Sequence, residues 1–164
     1  MRLSDNSVEQ TRVLLLATGR TDLMPEIEGF REFYGKGIYH CPYCDAWEHR
    51  DRPIAIVGGD DSAASLALGL LTWSRELTLC SHGAPRWSDD FVEQLERAGI
   101  GVVRAKILRA EGRERFERLV LEEREPLAVA AVFFSSDCVQ KSTLPEKLGC
   151  DFDEQGNVRC EGNA

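Results

Sequence analysis

The sequence lacks any hydrophobic run long enough to cross a membrane. Its longest uninterrupted run, residues 127–134, has eight residues, whereas a spanning helix needs about 20 apolar residues. Residues 1–9 are polar and lack the hydrophobic core of a secretory signal peptide. We therefore expect no membrane partner and a cytoplasmic location.

Positive charge is also scarce. The 164 residues include 20 Lys and Arg against 28 Asp and Glu, which gives a net charge of -8 at pH 7. Because binding to nucleic-acid phosphates requires clustered Lys and Arg, we expect no nucleic-acid partner. Hydrophobic residues make up 43% of the chain and charged residues 29%, a balance that is typical of a globular domain with its own core.

The most informative feature that the sequence does contain is the quartet Cys41-Pro42-Tyr43-Cys44. Two thiols at this spacing can close into a disulfide and reopen, which transfers two electrons. In the cytosol, cysteines are more often reduced, catalytic or metal-binding than structural. The same spacing also forms half of many zinc sites, but Cys150 and Cys160 have nine residues between them and do not supply the other half. We favour a redox pair and expect no metal.

A strand, a glycine turn and a helix follow this pair. Residues 54–57 are apolar and lead into Gly58 and Gly59, and helical spacing of Ala and Leu predicts a helix over residues 62–74. This order is typical of a Rossmann-like nucleotide-binding unit. The other predicted elements are strands at residues 12–18, Leu77–Cys80, 102–103, Phe116–Leu121 and 127–134, a helix at residues 89–98, and a connector at residues 21–37.

Four segments together resemble one family, and they occur in the order found in that family. They are Leu16-Ala17-Thr18-Gly19, the segment Leu23-Met24-Pro25-Glu26-Ile27-Glu28-Gly29, the segment Tyr39-His40-Cys41-Pro42-Tyr43-Cys44-Asp45, and Val57-Gly58-Gly59-Asp60-Asp61-Ser62-Ala63. On these motifs the chain resembles the thioredoxin reductase-like, FAD- and NAD(P)-dependent pyridine-nucleotide disulfide oxidoreductases. The resemblance extends over essentially the whole chain.

The resemblance implies an α/β fold, namely a Rossmann-like three-layer ββα nucleotide-binding domain with a partial FAD-domain remnant. Residues 1–36 would be part of the FAD domain and a connector. Residues 37–140 would form the NAD(P)-binding-like domain that carries the dithiol, and residues 141–164 would return toward the FAD domain. The chain has no Gly-x-Gly-x-x-Gly turn of the kind that binds the flavin. We therefore expect FAD to bind only in the full-length context.

The resemblance also implies roles for three residues at the dithiol. Cys41 would attack the substrate disulfide, Cys44 would face the flavin, and Asp45 would protonate the departing thiolate. The implied partner is a thioredoxin-like protein or a small-molecule disulfide or dithiol, and the full-length form would be a homodimer.

The nucleotide turn departs from the family pattern at one position. The resemblance implies that Gly58, Gly59, Asp61, Ser62 and Ala63 contact the nucleotide. Asp60, however, occupies the position of the glycine over which the pyrophosphate normally lies. A carboxylate there fills the space and repels the phosphates, so we expect binding of NADPH or NADH to be weak or lost.

A second departure follows the next strand. Members that use NADPH have a His-Arg-Arg cluster there for the 2′-phosphate, and this chain offers only His82 and Arg86. The electron donor or acceptor therefore stays open among NADPH, NADH, another donor and oxygen.

The function predicted from the sequence is that of a flavin-dependent thiol–disulfide oxidoreductase, in which Cys41 and Cys44 exchange electrons between flavin and a disulfide or dithiol substrate. We expect the 164-residue chain by itself to be inactive. The alternative is a non-enzymatic, truncated Rossmann-like domain whose cysteine pair is inert or binds a metal.

Overall fold

The computed structural model describes residues 4–136, 138–154 and 156–160. These residues fold into two compact units, one from Met24–Asp137 and the other from Met1–Leu23 with Cys138–Ala164. In chain order the elements are β1 (Arg20–Asp22), α1 (Phe30–Phe33), β2 (Ile38–Tyr39), α2 (Pro42–Asp45), the 3-10 helix Ala46–His49, β3 (Ile54–Val57), α3 (Asp61–Leu70), β4 (Leu77–Cys80), α4 (Asp89–Arg97), β5 (Gly101–Val103), β6 (Ile107–Gly112), β7 (Phe116–Leu121), β8 (Leu127–Ala128), β9 (Ala131–Phe134), β10 (Cys138–Gln140) and α5 (Leu144–Lys147).

The larger unit is built on a five-stranded parallel sheet in the order β2-β9-β3-β4-β5. Every residue of the central strand β3 is buried, because both faces of the sheet are covered. Ala55 and Val57 pack into one core, and Ile54 and Ile56 pack into the other. This alternation is what a strand with a side-chain period of two requires.

The two cores define three layers. One core lies between the parallel sheet and the antiparallel sheet β6-β7-β8, and it includes Val132, Leu119 and Leu121. The other lies between the parallel sheet and helices α3 and α4, and it includes Ala67 and Leu95. The architecture is therefore the three-layer ββα arrangement that the sequence predicts.

The prediction of one strand over residues 127–134 is wrong. Leu127–Ala128 pairs with β7 in the antiparallel sheet, and Ala131–Phe134 pairs with β2 and β3 in the parallel sheet. The chain passes from one layer to the next at Val129 and Ala130. Because both layers are apolar, hydrophobicity along the run does not reveal the crossing.

The smaller unit contains an antiparallel pair of strands, β1 and β10, with Thr21 opposite Val139. It also contains α5 and an isolated bridge between Phe152 and Val158. The predicted strand at residues 12–18 is not formed, and Val13 and Leu15 are 83% and 86% exposed. Within the described part of this unit no strand pairs with the run, so its backbone has no ladder partner.

Among the described residues, no helix is long and apolar enough to cross a bilayer.

Candidate functional site

The two cysteines of the quartet lie side by side at the start of α2. Cys41 is the residue before the helix, and Pro42 takes the first helical position, where its fixed φ and missing N–H are tolerated. One turn of helix then brings the thiol of Cys44 within 2.8 Å of Cys41 Sγ, to which it donates a hydrogen bond. Both are free thiols. The structure thus brings together the pair that the sequence predicts.

The environment of this dithiol is open. Cys44 is exposed and Cys41 is half-buried. Tyr43, between them, is 88% exposed and meets the ring of Trp73 edge-on at 5.5 Å. A reagent or a substrate sulfur can therefore reach the pair directly.

The hydrogen bond makes the two thiols chemically inequivalent. The pKa of the Cys44 thiol is raised because its proton is shared with Cys41, with further contributions from partial desolvation and from the negative charges of Cys41 and Asp45. Cys44 therefore holds its proton while Cys41 Sγ acts as the acceptor. Within the pair, Cys44 is therefore the donor and Cys41 Sγ the acceptor.

Asp45 is the last residue of α2. Burial raises the pKa of its carboxyl, and the charge of Glu48 raises it further, while His40 and His49 act in the opposite direction. A carboxyl with a raised pKa holds its proton to a higher pH, which suits a proton donor.

Sequence reasoning did not include Tyr34 in this site. Its hydroxyl is 2.6 Å from Nδ1 of His40, the residue before Cys41, and the two rings are stacked. Tyr34 directly follows α1 and lies six residues before His40, so no periodic spacing relates it to the dithiol.

The glycine turn after β3 is tightly packed. A Cβ at Gly58, where φ is 155°, would lie 2.5 Å from Cβ of Ala63, so only glycine allows α3 to approach the strand this closely. A Cβ at Gly59 would lie 3.0 Å from the carbonyl oxygen of Ser81. The loop that follows β4 therefore lies directly against the turn.

Two aspartates occupy the start of α3. Asp60 caps the helix, and its Oδ1 accepts the backbone N–H of Ala63 at 3.0 Å. Asp61 Oδ1 accepts the backbone N–H of Ser88 at 2.7 Å. Both side chains therefore bind backbone N–H groups of this chain, and both residues are exposed.

Comparison with known proteins agrees with this geometry. The family model described as pyridine nucleotide-disulphide oxidoreductase matches residues 3–163. The chain belongs to this family. The resemblance inferred from the four motifs is thereby confirmed, and members of the family generally use FAD and NAD(P)H.

Individual relatives and solved structures are also similar to this chain. It is 36% identical over 76 residues to the bifunctional thioredoxin reductase/thioredoxin of Mycobacterium leprae, which is 46% of this chain and 17% of that protein. The crystal structure of HlmI is 31% identical with a TM-score of 0.88, over 98% of this chain and 50% of that one. An oxidoreductase from Agrobacterium tumefaciens is 30% identical with a TM-score of 0.73, over 83% and 45%. The chain thus spans about half the length of these solved relatives.

The residues at the turn do not fit the pyrophosphate of a pyridine nucleotide. In this fold the pyrophosphate binds to backbone N–H groups at the start of the helix. Here the N–H of Ala63 is bound by a carboxylate, and Asp61 adds a second negative charge one residue further on. Gly58 and Ala63 keep the close packing of a nucleotide turn, but the anion-binding part of the turn is already bound by Asp60.

Of the two residues that could have held a 2′-phosphate, His82 has an engaged side chain, whereas only the backbone of Arg86 is bound. His82 Nδ1 accepts the backbone N–H of Ile107 at 3.0 Å, and burial lowers the pKa of its imidazole. The backbone N–H of Arg86 donates to the carbonyl of Gly59 at 2.7 Å. Because its imidazole is neutral and is hydrogen-bonded to Ile107 of β6, His82 is unsuited to binding a phosphate.

Within the described ranges no group of three or more His, Cys, Asp or Glu side chains is arranged to hold a metal ion.

Proposed function

We propose that the chain carries the redox dithiol of a flavin-dependent thiol–disulfide oxidoreductase related to thioredoxin reductase. The observation that carries this proposal is the 2.8 Å contact between the thiol of Cys44 and Cys41 Sγ. It is supported by membership of the pyridine nucleotide-disulphide oxidoreductase family. The substrate would be a thioredoxin-like protein or a small-molecule disulfide or dithiol.

Reduction of a disulfide proceeds in two exchanges. Cys41 Sγ, as thiolate, attacks one substrate sulfur, the substrate S–S bond breaks, and a mixed disulfide forms while the other substrate sulfur leaves. Cys44, after losing its proton, then attacks Cys41 Sγ, which releases the second substrate thiol and closes the Cys41–Cys44 disulfide. Two electrons pass from the dithiol to the substrate, and with a dithiol substrate the same steps run in reverse.

Asp45 supplies the proton that the first leaving thiolate requires. Its raised pKa increases the protonated fraction of the carboxyl relative to an ordinary aspartate, and Asp45 follows Cys44 directly in the chain. A thiolate leaves faster when a nearby acid can protonate it.

In the full-length protein, FAD would supply or accept the two electrons that reopen or close this disulfide. NADPH and NADH would bind weakly here because Asp60 and Asp61 occupy the start of α3, so the electrons would come from, or go to, another partner of the flavin. The full-length form would be a homodimer in the cytoplasm, where reducing conditions keep such a dithiol available.

The alternative of an inert or metal-binding cysteine pair is less favoured. Its two sulfurs are in hydrogen-bond contact and accessible. In the described part of the chain they also lack the further ligands that a zinc site needs.

The proposal is tested by equilibrating the 164-residue chain in glutathione buffers of graded ratio and then alkylating the free thiols. We expect the peptide that contains Cys41 and Cys44 to show one two-electron transition. Cys41→Ser should abolish it, and Cys160→Ser, at another exposed cysteine, should leave it unchanged. Equal loss of free thiols in the parent and in Cys41→Ser would contradict the proposal.

A further inference from the structure

A cavity of about 780 Å³ lies in the larger unit, away from the glycine turn. Its wall is formed by the end of the 3-10 helix at His49, by Arg52 and Pro53 before β3, by Arg115 and Phe116 at the start of β7, and by Val129 between β8 and β9. This volume lies within the range of pockets that bind small organic molecules. The proposed redox chemistry makes no use of it.

His49, which lines this wall, carries a buried polar atom that no described residue binds. The residue is only 6% exposed, and its Nδ1 is buried with no hydrogen-bond partner among the described residues. Its Nε2 lies 3.4 Å from the hydroxyl of Tyr39. If that hydroxyl donates to Nε2, the neutral ring carries its proton on Nδ1 and can donate a hydrogen bond. A buried donor without a partner costs stability, and a ligand that accepts from it would recover that cost.

Two arginines give the cavity a positive side. Arg52 and Arg115 both line it, and neither forms an ion pair with a described residue. Both lie close enough to His49 that, together with burial, they lower the pKa of its imidazole. Two guanidinium groups that line one cavity are suited to a carboxylate, because its two oxygens can accept from both.

The other residues of the wall restrict the chemical class of ligand that the cavity can bind. Pro53, Phe116 and Val129 provide apolar surface for a hydrophobic body. Glu48 and Glu117 also line the cavity, and their charges oppose a ligand with several negative groups. The lining therefore matches a single carboxylate on an apolar body better than it matches a polyphosphate.

We infer that this cavity is a binding site for a small apolar monocarboxylate, bound by Arg52, Arg115 and the Nδ1–H of His49. The inference is independent of the proposed redox function, because none of these residues belongs to the dithiol.

The test is a calorimetric titration of the 164-residue chain with benzoate, with benzamide as the uncharged counterpart of the same shape. We expect benzoate to bind and benzamide to bind at least about tenfold more weakly. Arg52→Gln and Arg115→Gln should each weaken benzoate binding roughly tenfold, the change that loss of one charge-assisted contact produces. The matched controls are Arg50→Gln, whose guanidinium stacks on Trp47, and Arg113→Gln, in the same turn as Arg115.

Further measurements test the same site. The imidazole resonances of His49 should shift on addition of benzoate and stay unchanged with benzamide, which tests the site without any substitution. Equal binding of benzoate and benzamide, equal loss in Arg52→Gln and Arg50→Gln, or tighter binding of inorganic pyrophosphate than of benzoate would each overturn the inference. The glutathione titration of Cys41 and Cys44 in the same samples reports separately on the redox proposal.

Discussion

Asp60 Oδ1 accepts the backbone N–H of Ala63 at 3.0 Å. The carboxylate thus binds at the helix start, where related folds bind the pyrophosphate of a dinucleotide. Replacing a phosphate-binding glycine by aspartate therefore does two things at once: it adds a negative charge, and it stabilises α3 as an N-cap. Because capping stabilises α3, an aspartate at position 60 benefits the fold as well as repelling the phosphates.

Nucleotide binding should depend on the residue at position 60. For the parent we expect dissociation constants for NADPH and NADH in roughly the millimolar range, equivalent to about -4 kcal/mol. Asp60→Asn keeps a capping side chain but removes the charge, and Asp60→Gly also frees the N–H of Ala63. Calorimetry should therefore rank the affinities as Asp60→Gly, then Asp60→Asn, then the parent, with steps of about tenfold or less.

Micromolar binding by the parent would contradict this interpretation and restore an ordinary pyridine-nucleotide site. If all three proteins fail to bind, the loop after β4 is the limiting part, since it lies against Gly59 and holds Ser88 on Asp61.

Alanine substitution at two glycines near α3 should change the free energy of unfolding in opposite directions. Gly58→Ala would place a methyl group 2.5 Å from Cβ of Ala63 in a backbone conformation that disfavours side chains, and we expect a loss of about 1–3 kcal/mol in the free energy of unfolding. Gly69, within α3, has nothing within 4 Å of its added methyl group. Gly69→Ala should raise the free energy of unfolding by about 0.5–1 kcal/mol.

Urea denaturation followed by circular dichroism measures both changes. An equal effect of the two substitutions would show that the contact between Gly58 and Ala63 does not limit the packing of α3 on β3.

The reactivity of Cys44 should rise when its partner is removed. In the parent, donation to Cys41 Sγ raises the pKa of the Cys44 thiol. Cys41→Ala removes this acceptor and its charge, so the pKa of Cys44 falls toward its ordinary value and more thiolate is present at a given pH. The rate of Cys44 alkylation by iodoacetamide at pH 8, followed by peptide mass spectrometry, should increase.

The matched control is Cys160→Ala, which should leave the rate at Cys44 unchanged. A slower reaction of Cys44 in Cys41→Ala would show that Cys41 activates Cys44 rather than restraining it.

The sequence predicted strands in which residues that favour β-structure recur. Leu77–Cys80 and Phe116–Leu121 form strands with the predicted bounds, because each contains several apolar residues bounded by polar segments. It did not predict β6, Ile107–Gly112, in which apolar residues alternate irregularly with Arg109 and Glu111 and the pairing contains bulges. Strands of that kind are determined by their partners, which local hydrophobicity does not report.

In the candidate site too, features set by local sequence could be predicted, and features set by distant residues could not. The spacing of Cys41 and Cys44 is a local property, and one helical turn is enough to bring the sulfurs together. The contact of Asp61 with Ser88 and the burial of His49 depend on residues far apart in the chain. No pattern within the segment around His49 indicates that its ring packs against Tyr39.

Stability should fall in mild acid because of His49. Burial, together with the charges of Arg52 and Arg115, lowers the pKa of its imidazole in the folded protein, while in the unfolded chain the pKa returns to about 6.5. Below that pH the unfolded state binds more protons than the folded state, so the free energy of unfolding decreases as the pH falls. His82 contributes with the same sign because its pKa is also lowered.

Asp45, whose pKa is raised, has the opposite sign, because the folded state binds its proton more tightly than the unfolded state, and it is present in both proteins compared below. The measurement is the urea midpoint from pH 8.5 to pH 5.5 for the parent and for His49→Gln. Between pH 8.5 and pH 7.5, where both histidines are neutral, the difference between the two midpoints should stay constant. Below about pH 6.5 the parent should lose stability more steeply than His49→Gln, since the variant lacks the group that takes up the proton only on unfolding. Parallel curves down to pH 5.5 would show that His49 is solvated in the folded protein, and that the cavity beside it is too wet to hold the neutral donor described above.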